Sequence, residues 1–338
     1  MRSPLRLIMA SATAAVLAAA TASAANAAPA VPAAPAKTAA TSASTARLSD
    51  GGAVNSATAA AKVSKYWTAA RMKAARPMPA PKARGGKVSA QAAPTGKAGS
   101  SPSAKAIASA ANKMAGGNLK LAAAITESAV VGKVYFHKPS GGDWMCSGSA
   151  LNSPSKQLVI TAGHCVHEGA GGNWVTNWTF VPRYRSGSRP FGTFAAKQFR
   201  TFNSWISSSD LQRDVGMVTT WPLNGNKLVN VVGGNGLNWN WPKNVAVTIL
   251  GYPVNANNGE IQQWCQGTTY DGGNYTIALG CNFNGGSSGG PWIMSFNNTT
   301  GLGQTDGVMS TIDGNGVNRA SYFDDAVKAM FDAQGSVT

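Results

Sequence analysis

The chain of 338 residues carries 29 Lys and Arg against 13 Asp and Glu, with three His and four Cys. Cut near residue 120, the net charge of +16 divides into +15 for residues 1–120 and +1 for residues 121–338. A near-neutral second part removes most of the support for nucleic-acid binding, which needs basic groups clustered on a folded face or a functional tail. Runs of Ile, Leu, Val and aromatics exclude a wholly disordered charged chain.

The first predicted element is a secretory signal peptide over residues 1–27. Arg2 and Arg6 precede the apolar stretches Leu7-Ile-Met-Ala and Val16-Leu-Ala-Ala-Ala, and small-residue sites follow at Ala22-Ser-Ala24 and Ala25-Asn-Ala27. Ser, Thr and Ala dilute the run, and no apolar span of about 18–20 residues follows, so a membrane anchor is the weaker reading. The mature protein is expected to be secreted, extracellular and free of the membrane. Export would place the four Cys in an oxidising compartment, where pairing is the default. Four Cys allow three connectivities.

Residues 28–120 read as a basic, low-complexity pro-peptide. Ala makes up 41 of the first 120 residues, Pro77-Met-Pro-Ala-Pro81 stiffens one part, and Tyr66 and Trp67 stand nearly alone as aromatic anchors. By composition such a leader buries too little apolar surface to offset its ordering entropy, and disorder is expected. A wall-spanning linker and an arm for anionic polymers compete with the pro-peptide reading. The window for processing is broad, Asn112–Glu127.

Residues 121–338 read as an all-β domain. Gly is 31 of these 218 residues, and short apolar runs recur between turn residues. They include Val130–Phe136, Leu158–Thr161, Trp178–Val181, Val215–Val218, Val245–Leu250, Tyr275–Leu279 and Trp292–Phe296. Many short strands without a long helical period favour a sandwich or barrel. One helix is predicted at the end, capped by Ser321 with Asp324 three residues on. Phe323, Ala326, Val327, Met330 and Phe331 form its apolar face.

Three short motifs carry chemistry. In Thr161-Ala-Gly-His164-Cys165 a strand end delivers an imidazole into a turn. A neutral imidazole accepts a proton near physiological pH. His167 and Glu168 make a metal pair conceivable, but no third ligand is suggested, and no metal or cofactor is expected. In Arg213-Asp214-Val-Gly-Met-Val218 an acid heads an apolar strand, where it could orient an imidazole. The third motif, Asn284-Gly-Gly286-Ser287-Ser288-Gly289-Gly290-Pro291, is the strongest. A nucleophilic Ser288 needs backbone N–H groups aimed at one point, and Gly286 can turn its amide inward beside that of Ser288. The Gly-x-Ser-x-Gly spacing also fits an α/β-hydrolase, which would need its His after the Ser; the order His164, Asp214, Ser288 excludes it.

These motifs, in this order over residues 128–333, resemble the chymotrypsin-like serine proteases, in the secreted bacterial branch of glutamyl-endopeptidase type. The resemblance implies two six-stranded antiparallel β-barrels with a C-terminal helix. It implies Ser288 as nucleophile, His164 as general base and acid, Asp214 as its orienter, and the amides of Gly286 and Ser288 as oxyanion hole. It also implies the disulfide Cys146–Cys165, leaving Cys265–Cys281. Ser287 stands where the family often has an Asp that binds a released N-terminus. The chain lacks the late His of glutamate-specific enzymes, and Asn282 stands where trypsin-type enzymes place an acid. Asn282, Phe283, Ser310, Thr311 and Ile312 are the candidate substrate-binding residues, with a neutral or mixed pocket. Asp313 reads either as an attractor for a basic side chain or as a turn residue. The expected function is a monomeric secreted serine endopeptidase, made as a zymogen, acting on protein or peptide. The alternative is a non-catalytic secreted β-barrel that binds wall polymers or proteins through Trp174, Trp178, Trp239 and Trp241.

Overall fold

The computed structural model describes residues 40–81, 96–110 and 127–338. The signal peptide over 1–27 and the processing window up to residue 126 lie outside the described residues. In chain order the leader supplies β1 (Thr41–Thr45), the helices Ala57–Tyr66 and Ala69–Ala74, β2 (Arg76–Pro77) and β3 (Gly99–Ser100). There follow β4 (Val131–His137), β5 (Asp143–Leu151), β6 (Leu158–Thr161), β7 (Thr176–Pro182), β8 (Phe194–Phe202) and β9 (Gly216–Thr220). The short helices Asn203–Ser208 and Leu228–Val232 flank β9, and then come β10 (Gly236–Trp239), β11 (Ala246–Gly251), β12 (Gln263–Thr268), β13 (Tyr270–Gly273), β14 (Thr276–Gly280), β15 (Pro291–Asn297), β16 (Leu302–Ile312), β17 (Val317–Ser321) and the helix Asp325–Gly335. Among the described residues no helix is long and apolar enough to cross a membrane.

The first barrel closes. Six strands pair antiparallel in the order β4-β5-β6-β9-β8-β7, and β7 returns to β4. Burial on both faces makes strands read as apolar runs such as Leu158-Val-Ile-Thr161, every residue of which is buried. The second half is an open sheet, β12-β11-β15-β16-β17-β14-β13. Side chains bridge its gap: Cys265 of β12 is joined to Cys281 just past β14, and Leu279 fills the space beside Gly267. The other disulfide, Cys146–Cys165, joins β5 to the turn after β6. These are the two pairings that the resemblance implies.

Over residues 40–81 and 96–110 the structure departs from the expected disordered leader. β1 pairs with five residues of β8, from Thr41 opposite Phe202 to Thr45 opposite Gln198. Ser56 caps the helix Ala57–Tyr66, which buries Ala59, Ala60 and Val63. Trp67 is 0% exposed and donates its indole N–H to the Asn177 carbonyl at 2.5 Å. β3 pairs with β10. Leu48, Val54, Val63, Trp67, Met72 and Met78 join the same apolar cluster as the barrel residues Val134, Phe180 and Phe199. The described leader residues bury their apolar side chains in the core of the first barrel, which composition alone does not reveal.

A second difference concerns the C-terminal helix. Ser321 ends β17, opposite Thr276, and the cap is Asp324, whose carboxylate accepts from the amides of Ala326 and Val327. The same carboxylate takes a two-pronged ion pair from Arg213, at 2.9 and 2.8 Å. The helix start is thereby tied to the residue preceding Asp214.

Candidate active site

β6 ends at Thr161, and the chain tightens into the single 3₁₀ turn Gly163–Cys165, which carries His164. Gly163 packs closely: a β-carbon there would lie 3.0 Å from the Asp214 carboxylate and 3.1 Å from the Trp205 ring. Asp214 follows another 3₁₀ turn, Leu211–Arg213, capped by Asp210. Asp210 is thus a local capping residue.

Asp214 is fully buried and accepts three hydrogen bonds. Its Oδ1 takes the backbone N–H of His164 at 2.8 Å. Its Oδ2 is 2.8 Å from His164 Nδ1 and accepts from the Ser310 hydroxyl at 2.6 Å. Burial alone would push this carboxyl up. The imidazole beside it and the bonds from His164 and Ser310 outweigh burial and hold it below the usual carboxylate range. The carboxylate is therefore ionised at neutral pH and fixes which nitrogen of His164 faces it.

The serine loop lies between β14 and β15 and is pinned from both halves of the molecule. The Ser288 carbonyl accepts from the Ser147 amide at 2.7 Å, and Ser147 Oγ donates to the Gly286 carbonyl at 2.9 Å. Gly289 donates to the Met309 carbonyl at 2.7 Å, and Met309 donates back to the Gly290 carbonyl at 2.8 Å. Ser147 follows Cys146, which is bonded to Cys165 beside His164; Met309 precedes Ser310, which holds Asp214. By these connections Ser288, His164 and Asp214 share one neighbourhood. Ser288 Oγ and His164 Nε2 are both buried and have no hydrogen-bond partner among the described residues. Gly286 has φ +86°, and a β-carbon there would meet the Tyr252 carbonyl at 2.7 Å. Ser287 is buried and donates its hydroxyl to the Asn284 carbonyl at 2.7 Å, so it closes its own turn.

The candidate pocket residues have mixed placements. Asn282 is exposed at φ +52° and donates its amide to the Gly316 carbonyl. Phe283 packs in the second core with Ile249, Ile277 and Trp292. Ser310 Oγ is committed to Asp214, while Thr311 is buried opposite Arg319 and Ile312 is half-buried opposite Asn318. Asn318 ties the two segments together, since its side chain bonds both the amide and the carbonyl of Phe283 at 2.9 Å. Its sequence neighbourhood, Val-Asn-Arg, carries no sign of that role. Asp313 is a turn residue: it accepts from the Asn315 and Val317 amides and pairs with Arg319 at 2.9 Å.

His167 accepts from the Gly169 amide through Nδ1 and meets Trp174 edge-on, and burial pushes its imidazole down. Cys146, His164 and Cys165 cluster, but the two sulfurs are joined to each other and offer no thiolate to a metal. The four Trp residues weighed for a binding surface pack instead. Trp178 is buried and donates to the Cys165 carbonyl, Trp174 stacks on Phe199, Trp241 donates to the Gly99 carbonyl, and Trp239 lies against Gly99.

A closed barrel, a second curved sheet and a serine loop pinned between them define a protein of the two-barrel serine-protease class. No family model and no curated relative matches the chain. Solved structures do. The protease Anisep from Arthrobacter nicotinovorans is 31% identical with a TM-score of 0.59, covering 63% of this chain and 99% of Anisep. The thermostable serine protease AL20 from an extremophilic microorganism is 29% identical with a TM-score of 0.58, covering 62% of this chain and 99% of AL20. A Glu endopeptidase, at 18% identity and a TM-score of 0.50 over 64% of this chain and 96% of its own, shares the fold. The chain belongs to the chymotrypsin-like serine proteases and is similar to the proteases Anisep and AL20.

Proposed function

We propose that the protein is a secreted serine endopeptidase, made with a removable leader, that cleaves peptide bonds through an acyl-enzyme. Ser288 Oγ attacks the substrate carbonyl carbon and His164 Nε2 takes its proton. Asp214 stabilises the imidazolium and holds the ring. The carbonyl oxygen becomes an oxyanion, which the Gly286 and Ser288 amides stabilise. Collapse breaks the C–N bond, and the imidazolium returns the proton to the departing amine. Water, deprotonated by His164, then releases the acyl group and restores Ser288.

The observation that carries this reading is the buried Asp214–His164 pair at 2.8 Å, together with Ser288, whose carbonyl lies 3.8 Å from the sulfur of Cys165 and whose hydroxyl is buried and unpartnered among the described residues. A buried polar group left unsatisfied costs about 1–3 kcal/mol. Both unsatisfied atoms here, Ser288 Oγ and His164 Nε2, are the ones that exchange the proton in this mechanism. Secretion is supported by the signal-like sequence of residues 1–27 and by two disulfides, which suit an oxidising compartment. The test is covalent labelling with a fluorophosphonate. Ser288→Ala should remain folded and lose the label together with casein hydrolysis. Label retained in that variant would refute Ser288 as nucleophile.

A further inference from the structure

Resting on that functional reading, we infer that residues 76–79 of the leader are a built-in inhibitor seated on the oxyanion donor. The Gly286 amide donates to the Met78 carbonyl at 2.9 Å. The Met78 amide in turn donates to the Met145 carbonyl at 2.8 Å. β2 lies along β5 in parallel, Arg76 beside Trp144 and Pro77 beside Met145. The Arg76 guanidinium sits 4.2 Å from the centre of the Trp144 ring, and Met78 is 7% exposed. A leader strand thus occupies the edge of β5 beside the serine loop, and its carbonyl holds an amide that the reaction needs.

Three features make this segment an inhibitor and not a substrate. First, a reacting carbonyl oxygen needs both amides, and Met78 engages Gly286 alone; among the described residues the Ser288 amide donates no hydrogen bond. Second, Pro77, Pro79 and Pro81 alternate with Met78 and Ala80. Their fixed φ preforms an extended strand, which lowers the entropy lost on docking. Third, the bond after Met78 is a tertiary amide to Pro79, whose nitrogen bears a ring where a departing amine must turn toward an imidazole. The anchor lies upstream. Tyr66 donates to Asp143 at 2.6 Å, Arg71 pairs with Asp143 at 2.9 Å, and Trp67 is buried. The anchor holds the short plug at high effective concentration, so its few contacts suffice.

The test uses the full chain before processing, followed as the full-length band during fluorophosphonate labelling. Met78→Asp places a charge in the buried position, and a second variant replaces residues 76–79 with Gly-Ser-Gly-Ser, leaving the anchor intact. Both should label roughly 100-fold faster than the unaltered full chain, the order expected for restoring one oxyanion donor, and adding Ser288→Ala should abolish the gain. Equal labelling of altered and unaltered chains would overturn the inhibitor and leave the protease reading standing. No labelling of any chain would overturn both. Hydrogen exchange supplies a readout apart from activity. In full-length Ser288→Ala the Gly286 amide should be protected, and Met78→Asp should remove that protection; equal exchange overturns the proposal.

Discussion

Ser310, expected among the substrate-binding residues, shows how much of the candidate site depends on one hydroxyl bonded to Asp214. Its bond to Asp214 Oδ2 is the shortest that carboxylate accepts, at 2.6 Å, and it helps keep the group ionised. Hydrogen bonds to charged groups contribute about 1.5–3 kcal/mol. Ser310→Ala is therefore expected to lower kcat/KM by roughly tenfold or more while leaving KM little changed, as steady-state kinetics would show. The same change alters acid stability. A carboxyl whose folded pKa is depressed contributes stability that is present above its unfolded pKa of about 3.9 and is lost as pH falls through the folded value. Without the Ser310 bond the depression is smaller, so acid-unfolding curves should show a smaller loss that is complete at higher pH. Asp306 behaves in the opposite sense. Burial pushes it up to about 8, with the Asn238 side chain opposing the shift. Between about pH 4 and pH 8 the folded chain holds a proton that the unfolded chain releases, so stability falls by roughly 1.4 kcal/mol per pH unit. Asp306→Asn should flatten urea midpoints measured from pH 5 to pH 7.

At the scale of elements, legibility followed local pattern. The apolar runs at Leu158–Thr161 and Val245–Leu250 became β6 and β11 because burial on both faces leaves a continuous hydrophobic signature. β8 was missed, since Lys197, Gln198 and Arg200 interrupt Phe194, Phe199 and Phe202 and the strand reads as mixed. The glycine-framed serine and the Thr-Ala-Gly-His turn were legible because their backbone demands are local. Ser310, Asn318 and Met78 act across long stretches of chain, and no spacing announces them. The helix cap shifted from Ser321 to Asp324 because a cross-strand partner, Thr276, claimed Ser321. The disulfide that spans the open side of the second sheet has a measurable share in that sheet. Replacing Cys265 and Cys281 with Ala should cost about 2–4 kcal/mol, and amide exchange should accelerate first along β12.

For the whole molecule, the leader changes what a domain boundary means here. Charge and composition divide the chain near residue 120, yet the first barrel completes its packing with Trp67 and the helix Ala57–Tyr66. Trp67→Ala in the full chain should cost about 3–5 kcal/mol, read as a lower urea midpoint. On the proposed secretion and processing, mass spectrometry under denaturing conditions is expected to show a new N-terminus between about Ala110 and Val131. A secreted form that keeps residue 28 onward would instead identify the leader as a permanent arm.

The five-residue ladder between β1 and β8 sets up a separation between being cut and being freed. Scission downstream breaks no hydrogen bond of that ladder, so the severed fragment should stay seated as a second polypeptide. Weighed gently, without denaturant, the nicked protein should have the mass of both pieces; weighed in acid and organic solvent, it should fall apart into two. Hydrolytic activity would then lag behind the appearance of the nick, by the time the fragment takes to dissociate or be digested.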